Sequence, residues 1–201
     1  MVYMDSSRAS MLVSGKAGHD GWSLELLQSL EWKRFEALSE ALLKEIGLHT
    51  RCSDLAAGID IEIYSRIEPA RVAAIAQCKA WPDPVDEQRV SDFFAVMTAK
   101  GVKKGYLITS SSFTDNAKAY GKIDGITLIG GRRLLQLIGA LSPEKSDKLL
   151  KLATQGDYTT PSCPGCGLKM LTRQAPDSDY QFWGCIRYPR CTETLEMKQA
   201  L

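Results

Sequence analysis

The stretch Gly58-Ile59-Asp60-Ile61-Glu62-Ile63-Tyr64, followed after a polar loop by Val72-Ala73-Ala74-Ile75-Ala76-Gln77-Cys78-Lys79, decides how the rest of the chain is read. Both runs are short, rich in β-branched and small apolar residues, and bounded by Gly, Pro and charges, which reads as two strands. Side chains two apart on a strand share a face. The pattern therefore predicts Ile59, Ile61 and Ile63 on one face with Asp60 on the other. On the second strand it predicts Gln77 and Lys79 together and Cys78 opposite. A hairpin through Ser65 to Arg71 brings the strands side by side, so that an acid, an amide and a lysine converge. Packing does not call for such a trio, and burying it unpaired is costly. The combination suits a metal site acting on phosphate.

Outward from the hairpin, residues 24–46 show an apolar stripe at helical spacing (Leu27, Leu30, Phe35, Leu38, Leu42, Ile46), ended by Gly47. Leu48 to Cys52 reads as an edge strand. After the hairpin the chain alternates. A helix is predicted over Val85–Lys100, a strand over Gly105–Thr109 and a helix over Thr114–Lys122. A strand over Ile126–Ile129 and a helix over Arg132–Leu141 follow. Strands joined through helices lie parallel. The predicted class is α/β: an α/β/α sandwich on a mixed sheet, with an antiparallel hairpin continued by parallel strands. Pro143 opens a further helix to about Ala153, and Thr154 to Asp157 reads as a linker.

The expected organisation is a flexible segment over 1–21, a catalytic domain over 22–141, a helix and linker over 142–157, and a separate small unit over 158–201. In that last unit Cys163-Pro164-Gly165-Cys166 and Cys185-Ile186-Arg187-Tyr188-Pro189-Arg190-Cys191 give C-x2-C, eighteen residues, then C-x5-C. Two cysteine turns so spaced can close a tetrahedral thiolate site, with zinc the usual occupant. A unit of about 40 residues has too little core to fold unaided, so the metal contributes folding energy. His19 and His49 lie far upstream. Trp183 and Tyr188 beside Arg187 and Arg190 read as single-strand contacts, since aromatic rings stack bases and arginines hold phosphates. Some of these aromatics are also expected in the small core.

The ordered set Gly58-Ile59-Asp60, Gln77-Cys78-Lys79, with Trp32-Lys33-Arg34-Phe35-Glu36 before it and Gly105-Tyr106-Leu107-Ile108-Thr109-Ser110 after it, resembles the Mrr-type restriction endonuclease catalytic domain of the PD-(D/E)XK superfamily. Phe113-Thr114-Asp115-Asn116-Ala117 and Ile126-Thr127-Leu128-Ile129-Gly130-Gly131 extend the resemblance. The tail, through Cys-Pro-x-Cys-Gly and Phe-Trp-Gly-Cys-x-x-Tyr-Pro-x-Cys, is similar to the C-terminal zinc ribbons of bacterial type IA topoisomerases. The resemblance implies a restriction-endonuclease-like fold and a DNA endonuclease.

The chemistry also follows from the residues. Phosphodiester hydrolysis needs a cation to polarise a phosphoryl oxygen and acidify a water. Magnesium, or manganese in its place, takes oxygen ligands. Asp60 supplies a carboxylate, Gln77 an amide oxygen and Cys78 its backbone carbonyl. Lys79 faces the attacking water or the phosphate, and Glu36 holds a metal-bound water or a second ion. Gln77 stands where many superfamily members carry an acid, which lowers metal affinity unless Glu36 or Glu62 compensates. A plain Asp60–Lys79 ion pair is the competing reading, and the order of the surrounding motifs weighs against it. Cys78 and Cys52 read as structural.

With 25 basic and 24 acidic residues the net charge is only +1, so any DNA contact rests on local basic patches. An apolar content of 44% and a charged content of 24% suit a water-soluble domain. Neither a membrane-length apolar run nor a signal-peptide core is seen, and a cytoplasmic protein is expected, with double-stranded DNA as partner and a homodimer allowed by geometry. The rival expectation is a DNA- or junction-binding module that keeps a nuclease fold without cutting; an RNA-directed ribbon is a third.

Overall fold

A computed structural model describes residues 21–53, 58–123, 125–176 and 178–197. The expectation for the first segment falls outside them save for Gly21. The elements, in order, are α1 (Leu24–Ser29), α2 (Trp32–Glu45), β1 (His49–Cys52), β2 (Ile61–Tyr64), β3 (Val72–Lys79), α3 (Glu87–Ala99), β4 (Gly105–Thr109), α4 (Asp115–Ile123), β5 (Ile126–Ile129), α5 (Gly131–Gly139), α6 (Pro143–Thr154), and then β6 (Met170–Gln174), β7 (Gln181–Cys185) and β8 (Thr194–Glu196).

Strands β1 to β5 form one sheet in sequence order. β1–β2 and β2–β3 are antiparallel, whereas β3–β4 and β4–β5 are parallel. Alternation along β3 divides the core in two. Ala74, Ala76 and Cys78 face the cluster built with α1, α2, α5 and α6. Ile75 faces the cluster built with Val90, Phe93 and Met97 of α3 and Ala117 of α4. The mixed sheet with helices on both faces is as predicted. Gly105 permits the closeness of α3 to β4: a Cβ there would sit 2.4 Å from the Met97 sulfur and 2.7 Å from the Phe93 ring.

Three expectations need correction. The single helix over residues 24–46 is two, α1 and α2, because Leu30 and Glu31 adopt extended backbone between them. The Glu31 side chain caps α2 by accepting from the Lys33 N–H at 3.0 Å. Ile59 does not join Ile61 and Ile63, since the backbone bends at Asp60 and sends Ile59 into the α3-side cluster. Cys52 is exposed on β1 rather than a core residue, whereas Cys78 is buried as expected.

Helix α6 lies along α2. The Arg34 guanidinium donates to the carbonyls of Leu152 and Gln155 at 2.7 and 2.9 Å, closing the α6 C-terminus. Lys145 and Lys148 pair with Glu45 at 3.2 and 3.1 Å. Strands β6, β7 and β8 make a separate antiparallel sheet. Its buried apolar set, among the described residues, is Cys163, Met170 and Cys185.

Candidate active site and thiolate centre

The bend before β2 puts Asp60 at the point where β2 and β3 separate. Its N–H donates to the Ala76 carbonyl at 3.0 Å, and its Oδ2 accepts from the Cys78 N–H at 2.6 Å. N–H and C=O of one strand residue point the same way and alternate from residue to residue. The Lys79 carbonyl accepts from Ser110 on the β4 side, so the Cys78 carbonyl points to the β2 side, where Asp60 lies.

Gly58 also shapes the corner. Its φ of +73° suits only glycine, and a Cβ would lie 3.0 Å from Gln77 Nε2. The Gln77 Nε2 donates to the Gly58 carbonyl at 2.8 Å, which leaves the amide oxygen for another partner. Lys79, two residues on and on the same face, lays its Nζ 5.0 Å from the centroid of the Trp81 ring. Arg89 of α3 stacks on the same ring at 5.1 Å.

Glu36 reaches this corner from α2. Burial pushes its carboxyl up to about 8, with the negative charges of Asp60 and Glu31 adding and the positive charges of Lys33 and Lys79 opposing. Asp60 is also raised: burial outweighs the Cys78 N–H and the Lys79 charge. Two half-buried carboxylates, both raised by burial and Glu36 also by the Asp60 charge, are settled by a proton or by a cation. The donors available are all oxygen, from Asp60, Glu36, the Gln77 amide and the Cys78 carbonyl, which fits a hard divalent ion. Glu62 is drawn elsewhere, accepting from the Tyr64 hydroxyl at 2.6 Å.

In the tail, Cys163, Cys166, Cys185 and Cys191 bring their sulfurs within 4.8 Å of one another. Cys163–Cys191 and Cys166–Cys185 are 3.6 and 3.5 Å apart. A disulfide needs about 2.0 Å, whereas a tetrahedral zinc–thiolate site, at about 2.3 Å per bond, spaces its sulfurs near 3.8 Å. Backbone N–H groups of Gly165 and Cys166 point at the Cys163 sulfur, and that of Arg187 at Cys185 Sγ at 3.4 Å. Such donors favour thiolates. Tyr188, Arg187 and Arg190 are exposed, with Arg173 over the Tyr188 ring at 5.5 Å, while Trp183 is half-buried against the cysteine cluster.

Sequence reasoning missed Glu31. Its carboxylate is 6% exposed and accepts from the Ser162 N–H and hydroxyl at 3.2 and 3.1 Å. Lys169 pairs with it at 3.3 Å, and the neighbouring Trp32 Nε1 donates to the Ser162 carbonyl at 2.8 Å. The ribbon is thereby seated on the N-terminus of α2. No local signal marks this, since Glu31 reads as an ordinary polar position inside a helical stripe.

Comparison with known proteins points to a family. A family model described as a restriction endonuclease matches residues 27–138, more than half of the chain. The type IV methyl-directed restriction enzyme EcoKMrr of Escherichia coli K12 is 27% identical over 137 residues, 64% of this chain and 45% of that protein. DNA topoisomerase 1 of Archaeoglobus fulgidus is 36% identical over 66 residues, 33% of this chain and 10% of that protein, which fits the cysteine tail. The chain thus spans less than half of either relative. Among solved structures, MspJI restriction endonuclease in complex with a 27-mer oligonucleotide aligns at TM-score 0.44 and 18% identity, over 68% of this chain and 33% of that one. The modification-dependent restriction endonuclease AspBHI aligns at 0.45 and 20%, over 64% and 38%. With its mixed sheet, its Asp60–Gln77–Lys79 corner and the matched residues 27–138, this chain belongs to the Mrr-type restriction endonuclease family.

Proposed function

We propose that the protein is a metal-dependent endodeoxyribonuclease acting on foreign or modified DNA, with its catalytic corner in residues 22–141 and a zinc ribbon in residues 158–201. The observation that carries this reading is the meeting of Asp60, Gln77 and Lys79 where β2 and β3 separate, in a domain of a restriction endonuclease family. A bound magnesium or manganese ion supplies Lewis acidity at the phosphoryl oxygen and a more acidic water. Asp60, the Gln77 amide oxygen and the Cys78 carbonyl would hold the ion. Glu36 orders water beside them; without a cation it keeps its proton at neutral pH. Lys79 sets its ammonium against the negative charge that grows on the phosphate.

In the ribbon, zinc on four thiolates supplies the fold, and exposed Tyr188, Arg187 and Arg190, with Trp183 at the edge, contact single strands. A homodimer would supply two sites for double-strand cleavage. The deciding experiment incubates methylated and unmethylated plasmid with the protein and magnesium or manganese, against a chelator control. Cleavage that requires the metal supports the reading. Tight DNA binding with intact plasmid in every arm would replace it with the non-cleaving module, a reading the near-zero net charge does not oppose.

A further inference from the structure

A cleft of about 640 Å³ opens where the ribbon meets the larger domain. Three indoles line it: Trp32 from the start of α2, Trp81 just past β3, and Trp183 from β7. All three are half-buried. The remaining tryptophan of the four, Trp22, is buried and bonded to Ser146 Oγ at 3.2 Å. Indoles convey large apolar area, and rings left half open around one cavity favour a flat aromatic partner.

Charge is arranged to match. Lys79 and Arg89 both sit over the Trp81 ring. A second cleft of about 620 Å³ shares Gln28 and Pro82 with the first and is lined by Lys118, Arg132 and Arg133. A cationic trough therefore runs into an aromatic one. Of the acids at the aromatic cleft, Glu31 is committed to Ser162 and Lys169. Glu196, from the ribbon side, disfavours phosphate there and keeps the backbone on the cationic side.

We infer that this cleft binds an unpaired nucleobase of the DNA strand, adjacent to the phosphate that Lys79 faces. The position of that phosphate rests on the nuclease reading. The Lys79 Nζ lies 5.0 Å from the Trp81 ring centroid, so a base held at Trp81 lies next to the phosphate that Lys79 faces. Stacking on indoles with phosphates on neighbouring cations is how single strands are held with little sequence preference. The ribbon acts here by completing a wall, through Trp183, of a site that the nuclease domain alone leaves open.

The test uses the full zinc-loaded chain with magnesium and manganese left out, titrated with a short oligothymidylate and with a blunt duplex of equal length. Tryptophan emission and oligonucleotide anisotropy are followed together. The expected result is saturable quenching by the single strand, tighter binding of it than of the duplex, and a roughly 10-fold loss of single-strand affinity in Trp81→Ala. Trp22→Phe should retain the quenching. Should Trp81→Ala fail to fold, the pair Arg132→Ala and Arg133→Ala serves instead, weakening the strand while leaving all indoles in place. Binding without quenching, or equal affinity for strand and duplex that neither variant alters, overturns the inference. With magnesium and manganese left out the strand is not cut, so this outcome is independent of cleavage. A protein that stacks the strand yet never cleaves with metal would sink the nuclease reading and leave this one standing.

Discussion

The catalytic corner and the cysteine ribbon are both candidate metal sites, yet they are held in opposite ways. Around Asp60 and Lys79 the sheet is packed on both sides, with Ile61, Ala76 and Cys78 in one cluster and Ile75 and Leu107 in the other. The site is carried by a fold that stands without it. Among its described residues the ribbon has three buried apolar ones, two of them cysteines of the cluster. Its site is its core. Remaining support comes from outside, through Glu31. Metal loss should therefore silence the first region and unfold the second.

The largest effect follows from that contrast. Purified protein should contain one zinc per chain, and Cys163→Ser or Cys185→Ser should abolish it. Structural zinc contributes on the order of 10 kcal/mol to such modules, so amide exchange over β6 to β8 should become fast while β2 to β5 stay protected. Retained protection in a zinc-free ribbon would break the comparison.

Next in size, Lys79→Ala and Asp60→Ala should each lower cleavage by about 100-fold or more, a few kcal/mol of barrier, with melting temperatures near wild type. Cleavage at the wild-type rate would show that the corner is not the catalytic site.

Glu31→Ala sharpens the comparison from the junction. It removes the α2 cap and the partner of Ser162 and Lys169, at a cost of about 2 kcal/mol. Limited proteolysis between α6 and β6 should accelerate, while elemental analysis still finds zinc. Unchanged proteolysis would mean that the ribbon is seated by other contacts.

The smallest effect concerns pH. Glu36 has its carboxyl raised to about 8 in the folded protein, above an ordinary value near 4.5. Between those limits the native state binds the extra proton, so stability falls as pH rises through that window. Discounted for partial exposure, the loss is about 1–2 kcal/mol. With zinc bound and magnesium and manganese left out, melting should therefore drop from pH 5 to pH 9, with a shallower drop in Glu36→Gln. Parallel wild-type and variant curves would remove Glu36 from the corner.

Much of this was legible in the one-dimensional pattern. A period of two placed Gln77 and Lys79 on one face of β3, and cysteine spacing foretold a cluster whose sulfurs close to within 4.8 Å. Both are short-range signals: alternation follows from backbone geometry, and two tight turns leave thiols few other arrangements. The bend at Asp60 escaped, because it depends on how β2 and β3 diverge and not on residue type. So did the break between α1 and α2, where no Gly or Pro marks the stop and Glu31 reads as a helix former.

What only the tertiary structure decided is the junction. Ser162 meets Glu31 across a sequence separation of 131 residues, and Trp32, Trp81 and Trp183 meet around one cleft from three elements. Sequence by itself determined on which strands or turns the candidate groups stand. It could not determine which distant surfaces would touch, because that choice is made by packing complementarity summed over many weak contacts, and no local propensity encodes it.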